Sequence, residues 1–222
     1  MTAATLVFDL DGTLVDTAPD LVGGLNVAMA LENLDPITVP EVRRIVGGGV
    51  RVMLERGLRL RNHAVTEARF DQLAAAFFAH YELHIADESR MYPDVERVLD
   101  ELAAAGNRLA VCTNKPEKLS LLLLEAMGLR DKFAAVCGAD TFPVKKPDPL
   151  HFIGTIERAG GDIGQAVMIG DSRADSEVAA NAKVPCILLD YGYTDVPATD
   201  LGADAVISHF CDVPGAIRKL IA

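Results

Sequence analysis

The sequence predicts an α/β fold, a doubly wound parallel sheet carrying an inserted helical domain. Three observations lead there. Short, continuously apolar runs recur along the 222 residues, which is how strands buried on both faces read. Amphipathic stretches separate most of these runs, so helical crossovers join parallel strands and cover both faces of the sheet. Residues 18–85 break this alternation, because they hold helical patterns only. We therefore divide the chain into a sheet domain, 1–15 with 89–222, and a helical domain, 16–88.

The first strand is Thr5-Leu6-Val7-Phe8, closed by Asp9-Leu10-Asp11-Gly12-Thr13. A helix over 18–32 follows, with Leu21, Leu25, Ala28 and Met29 at helical spacing and Pro19 tolerated in its first turn. Pro36 and Pro40 punctuate the chain before a second helical pattern at Val42, Ile45 and Val46. Gly47-Gly48-Gly49 interrupts that pattern, and Val52, Met53 and Leu58 resume it. The stretch 66–85, with Phe70, Leu73, Phe77, Phe78 and Tyr81, completes the helical block. Beyond Tyr92-Pro93 an amphipathic helix over 95–105 stops at Gly106. Strands are expected at 108–113, 134–137, 166–170 and 186–190, with a short run near Val206-Ile207. Helices at 119–127, 150–159 and 173–183 separate them, and the tail from Val213 is helical.

Composition excludes several classes. A formal net charge of −11 argues against nucleic acid or an anionic membrane surface as partner. An anionic substrate must then be drawn in by local charge. No apolar run reaches the length of a membrane span; the richest, 119–124, is flanked by Lys118 and Glu125. The first strand begins by residue 5, which leaves no room for a secretory leader. None of the four cysteines is paired at metal-binding spacing, and three sit in strand-like runs. They read as small core residues of a reducing cytosol, so a cytoplasmic location is expected.

Chemistry concentrates at strand ends. Asp9 and Asp11, two positions apart, leave the backbone on the same side. They could form a plain Asp-Gly turn. A calcium loop using Asp9, Asp11 and Asp20 fails, because Leu14 stands where such a loop needs glycine. They could also be a catalytic pair sharing a divalent metal, Asp9 as nucleophile and Asp11 as general acid/base. At the end of the second strand, Thr113-Asn114-Lys115-Pro116 offers a hydroxyl, an amide and a helix start to a phosphate, or simply caps that helix. Asp171 ends a strand and Asp175 follows four residues on, so both can face one point. The glycine run 47–49 is either an interhelix turn or a bare backbone that approaches an anion, with Arg43, Arg44 and Arg51 near it.

Four stretches in this order, Asp9-Leu10-Asp11-Gly12-Thr13, Thr113-Asn114, Lys146-Pro147-Asp148-Pro149 and Gly170-Asp171-Ser172-Arg173-Ala174-Asp175, resemble the four motifs of the haloacid dehalogenase-like phosphatases across the whole chain. The resemblance implies a Rossmann-like core under a helical cap and an aspartyl-phosphate intermediate on Asp9. It further implies Asp11 as acid/base, Lys146 as the site cation, Thr113 as a phosphate ligand, and Asp9, Asp11, Asp171 and Asp175 as metal ligands. Four carboxylates against one lysine repel a phosphate unless a hard cation joins them, and oxygen-only ligands point to Mg²⁺.

Within the family the chain looks most like members that act on 2-phosphoglycolate. Val46-Gly47-Gly48-Gly49, Tyr92-Pro93-Asp94-Val95 and Tyr191-Gly192-Tyr193 carry that likeness. The chain departs where such members have glycine at Asp94 and Lys183 and asparagine at Ala174. A substrate carboxylate would need donors beyond the core, and the expected ones are the backbone at Gly48 with Arg51 or Lys115, beside Asn114 and Thr113 on the phosphate. The expected partner is a small phosphorylated metabolite, bound by a monomer or homodimer. A phosphosugar mutase and a phosphatase for another metabolite are the alternatives; an idle regulator is disfavoured by the intact set of chemical groups.

Overall fold

The structure is a computed structural model that describes residues 3–221. Its first half runs β1 (Thr5–Phe8), β2 (Val15–Asp16), α1 (Ala18–Leu31), α2 (Val39–Ile45), α3 (Val50–Leu60), α4 (Glu67–Leu83) and β3 (Arg90–Met91). Helix and strand then alternate: α5 (Val95–Ala104), β4 (Arg108–Cys112), α6 (Glu117–Ala126), β5 (Ala135–Cys137), α7 (Pro149–Arg158), β6 (Ala166–Gly170), α8 (Arg173–Ala182), β7 (Cys186–Leu189), β8 (Ala205–Ile207) and α9 (Val213–Leu220). Among the described residues no strand lies between 18 and 85, and no helix is long and apolar enough to cross a membrane.

β1 reads as continuously apolar because its side chains alternate between two different cores. Leu6 and Phe8 join one apolar cluster and Val7 joins the other. The first cluster lies under α5, α6 and α9, and the second under α7 and α8. The six strands are parallel in the order β5-β4-β1-β6-β7-β8. This is the expected doubly wound sheet. β1 is the point where the strand order turns back, with Phe8 in register with both Val111 and Ile169. Ligands bind beyond the carboxyl ends of strands at such a point.

Helices α1 to α4 bury their own apolar cluster, which Leu119 and Tyr193 of the sheet unit also join. α1 and α4 pack closely where Gly24 leaves room for the Phe77 ring. The chain enters and leaves these helices through a ribbon that the sequence did not lead us to expect. Val15 pairs with Met91 and Asp16 with Arg90, antiparallel, in two strands too short to show a pattern. Asp20 stitches the ribbon's flanks. Its carboxylate accepts bonds from the Glu88 and Ser89 amides (3.0 and 2.8 Å) and the Ser89 hydroxyl (2.5 Å). The third acid of the rejected calcium loop thus serves as a buried backbone clamp.

The departures at Asp94 and Lys183 acquire a physical meaning. Both have left-handed backbone, φ 67° and 58°, where glycine is free of the Cβ penalty. Lys183 forms the left-handed cap that ends α8. Lys183→Gly should raise stability by about 0.5–1 kcal/mol, the relief of that strain less the extra freedom of unfolded glycine. Thermal unfolding checks this, and a lowered midpoint would contradict it.

Candidate active site

Three adjacent strand tips converge. Asp9 follows β1, Thr113 follows β4 and Asp171 follows β6, each one residue beyond its strand. The Asp9 amide still donates to the Ile169 carbonyl (2.9 Å) and the Thr113 amide to Cys137 (3.0 Å), so the ladder holds both residues rigidly. Asp175 sits in the first turn of α8, and both its oxygens are engaged. One accepts from Lys146 Nζ (2.6 Å), the other from the Ser172 amide and hydroxyl (3.0 and 2.6 Å) and the Asp171 amide (3.2 Å).

Lys146 is fully buried, with Nζ 3.1 Å from Asp9 and 2.6 Å from Asp175. Burial alone would lower its pKa, but the Asp175 and Asp9 carboxylates outweigh that and hold it charged. Side chains on both sides of it in the sequence fix its backbone. The Asn114 amide donates to the Lys146 carbonyl (3.1 Å), and the Lys146 amide donates to His151 Nδ1 (3.1 Å). His151 Nε2 lies 3.0 Å from the Gly138 carbonyl, and burial with the nearby Lys146 pushes this imidazole down to about 4, so it is neutral at pH 7. The Lys146–Pro147 peptide is cis.

The carboxylates outnumber their counter-charge. Asp9, Asp171 and Asp175 each place an oxygen within 4.8 Å of the other two, all buried. Burial raises the Asp9 carboxyl, Lys146 opposes the rise and Asp175 adds to it. Asp171 is likewise raised, by burial and then by Asp175 and Asp9. One ammonium cannot neutralise three such groups, so this donor set fits a hard divalent cation. Asp171 is aimed by Thr13 Oγ1 (2.6 Å) and by the Tyr193 amide (2.6 Å), while Gly12 and Gly192 leave space that a Cβ would take from its carboxylate.

The structure places two of the expected site residues apart from this cluster. The Asp11 carboxylate stands apart from the three-carboxylate cluster, because Lys115 Nζ holds both its oxygens at 2.9 and 3.2 Å. Arg51 points away from the site. It pairs with Glu55 and Glu67 and lies over the Phe70 ring (4.6 Å) on the outer side of α3. Lys115 itself is buried and reaches the Tyr81 hydroxyl from α4 (2.7 Å) as well as Asp11. Asn114 spends its amide on Lys146.

A cavity of ≈ 50 Å³ lies between the strand tips and the helical unit. Asp9, Asp11, Asp171, Thr113, Asn114 and Lys115 line its floor and wall. The glycines 47–49 line its roof. All three have positive φ (101°, 82° and 93°), and Gly49 passes so near the Asn114 carbonyl that a Cβ would stand 3.2 Å from it. Only glycine meets both demands. Lys145 Nζ donates to the Gly48 carbonyl (2.8 Å) and ties this loop to the sheet unit. A neighbouring crevice of ≈ 180 Å³ shares Asn114, Ser172 and Tyr193 with the cavity and carries Arg44, Arg56 and Arg173. It supplies locally the positive charge that the chain lacks overall.

Several of these groups had no role assigned to them from sequence. Thr13 and His151 had no signal beyond their neighbours, and Tyr81 read only as one apolar position of an amphipathic helix. Tyr193 bonds Asp16 through its hydroxyl (2.5 Å), receives the Ala18 amide there (2.9 Å), and so joins the Asp171 carboxylate to the entrance of α1.

Fold and site together define a doubly wound α/β core with a buried carboxylate–lysine cluster at its strand tips. The model of the haloacid dehalogenase-like hydrolases matches residues 6–189, and the chain belongs to that family. It is 48% identical over 217 residues to the phosphoglycolate phosphatase of Agrobacterium fabrum, covering 97% of this chain and 93% of that one. The phosphoglycolate phosphatase of Caulobacter vibrioides is also 48% identical, over 221 residues, covering 100% and 93%. A crystal structure of a predicted phosphoglycolate phosphatase from Haemophilus somnus superposes with a TM-score of 0.91 at 31% identity, over 97% of this chain and 98% of that one.

Gly192→Ala would push on the Asp171 carboxylate without removing any polar group. It should weaken divalent-cation affinity at least about tenfold. Calorimetric titration with Mg²⁺ measures this, and an unchanged affinity would separate Asp171 from cation binding.

Proposed function

We propose that the protein hydrolyses 2-phosphoglycolate to glycolate and phosphate through an aspartyl-phosphate on Asp9. The observation that carries this reading is the meeting of buried Asp9, Asp171 and Asp175 with Lys146 at adjoining strand tips. The full-length identity to phosphoglycolate phosphatases supports the substrate. We read 16–88 as a cap over the core formed by 1–15 and 89–222.

Asp9 attacks phosphorus through a carboxylate oxygen, forming the acyl-phosphate bond as the ester oxygen departs. Asp11, two residues on, gives the leaving oxygen its proton and then takes one from the water that cleaves the intermediate. In the geometry seen, Asp11 is ion-paired to Lys115, an arrangement suited to the second task; the first requires that the pair loosen. Lys146 and Thr113 face the equatorial oxygens, where charge builds. Asp175, with both oxygens engaged, holds Lys146 and the turn at Ser172 in place. Asp9 and Asp171, supported by Asp175, would hold a divalent cation, Mg²⁺ by the chemistry of the donor set, which would neutralise charge on the transferred group. The 47–49 loop and Lys115 line the part of the cavity left for the substrate carboxylate. A cavity this small excludes large esters when the helical unit is closed, and closure keeps bulk water out. Such chemistry suits a cytoplasmic enzyme with a small metabolite as its partner.

The test is phosphate release from a panel of monoesters with Mg²⁺, using Asp9→Asn as the blank. Phosphoglycolate should lead in kcat/KM by orders of magnitude, and Asp9→Asn should be inactive while unfolding at a similar temperature. Transfer of phosphate to added hexose phosphate with no net release would identify a mutase. A different leading ester would keep the chemistry and replace the substrate. Gly48→Val forces a branched residue into left-handed backbone against Val52. It should raise KM for phosphoglycolate about tenfold or more; an unchanged KM would remove the loop from substrate binding.

A further inference from the structure

The substrate's non-transferred end must face the cap, because the phosphate end is taken by Asp9, Thr113 and Lys146. The cap's contribution to the cavity is nearly devoid of polar side chains. Leu21, Val46, Val50 and Met53 are apolar, and 47–49 are glycine. Tyr81 is the exception, and no arginine of the cap lines this cavity.

Tyr81 is buried and stacked on Phe77, ring centroids 5.5 Å apart, so its hydroxyl has a fixed position. Lys115 is the hydroxyl's one hydrogen-bond partner among the described residues, at 2.7 Å. An ammonium group can only donate, so the tyrosine oxygen accepts in that bond. Its own proton is left without an acceptor, on a residue that lines the cavity. A buried donor without a partner costs free energy unless a ligand completes it.

We propose that Tyr81 is the specificity-determining residue for the substrate carboxylate, donating its hydroxyl proton to that group while Lys115 orients the hydroxyl and supplies the positive charge. The inference rests on the substrate reading above and names the side chain that enforces it. It also explains how the cap selects an anionic ester without a cation of its own in the cavity. A neutral hydroxyl held by a core lysine, which also pairs with Asp11, provides direction.

The test compares 2-phosphoglycolate with ethyl phosphate, an ester of the same length that lacks the carboxylate, in the wild-type protein and in Tyr81→Phe. The readout is the ratio of the two kcat/KM values. A lost hydrogen bond to a charged group should lower that ratio about ten- to a hundredfold in Tyr81→Phe, chiefly through KM for phosphoglycolate. Proportionate loss on both esters would assign Tyr81 to the Lys115–Asp11 pair or to packing and overturn the inference. A wild-type preference for phosphoglycolate that persists undiminished in Tyr81→Phe would overturn it alone. A wild-type protein that treats the two esters alike removes the substrate reading and the inference together.

Discussion

One buried ammonium governs the arrangement of the site. The Lys146 side chain is buried between Asp9 and Asp175, whose carboxylates outweigh burial and sustain its charge. Neither side of that contact is separable from the fold. Asp9 is anchored by the sheet ladder, Asp175 by the first turn of α8, and the Lys146 backbone by Asn114 and a neutral His151. Removing Lys146 would leave buried carboxylates uncompensated, which is far costlier than losing an exposed pair, whereas neutralising Asp9 still leaves the ammonium paired with Asp175. The excess of carboxylate over ammonium is also what makes the cluster receptive to a further cation.

The same economy of charge links the two units of the chain. Polar contacts across the seam include three beside the site: Lys115 to Tyr81, Lys145 to the Gly48 carbonyl, and Tyr193 to Asp16 and the start of α1. Each joins a group at or beside the strand tips to a group on or leading into the helices. The placement of α1 and α4 and the geometry of the site therefore cannot vary independently. Movement of α4 disturbs the partner of Asp11, and movement at the start of α1 disturbs the loop that aims Asp171.

Much of this was legible in the sequence, for identifiable reasons. Strands buried on both faces must be apolar throughout, so β1, β4 and β6 announced themselves. Charged or polar residues directly after such strands stand out, which is how Asp9, Thr113 and Asp171 were found. The ribbon of β2 and β3 was not legible, because two residues per strand carry no period. The direction of long side chains was not legible either. Arg51 is near the glycine loop in sequence, yet a helix turns successive residues by 100°, and acids at 55 and 67 draw its side chain outward. Tyr81 was hidden for the opposite reason, since an aromatic on a buried helical face reads as core and only the tertiary contact with Lys115 gives its hydroxyl a task. The left-handed backbone at Asp94 and Lys183 showed in sequence only as a departure from glycine.

The β2–β3 ribbon has a consequence for how such a protein could arise and diversify. The helical unit leaves the sheet unit at Asp16 and returns at Arg90, and these two residues are paired across the ribbon. A segment whose ends lie side by side can be exchanged for another of different length without moving any strand of the main sheet. The hydrolytic groups would be inherited unchanged, while the surface that meets the rest of the substrate would be replaced in a single recombination event.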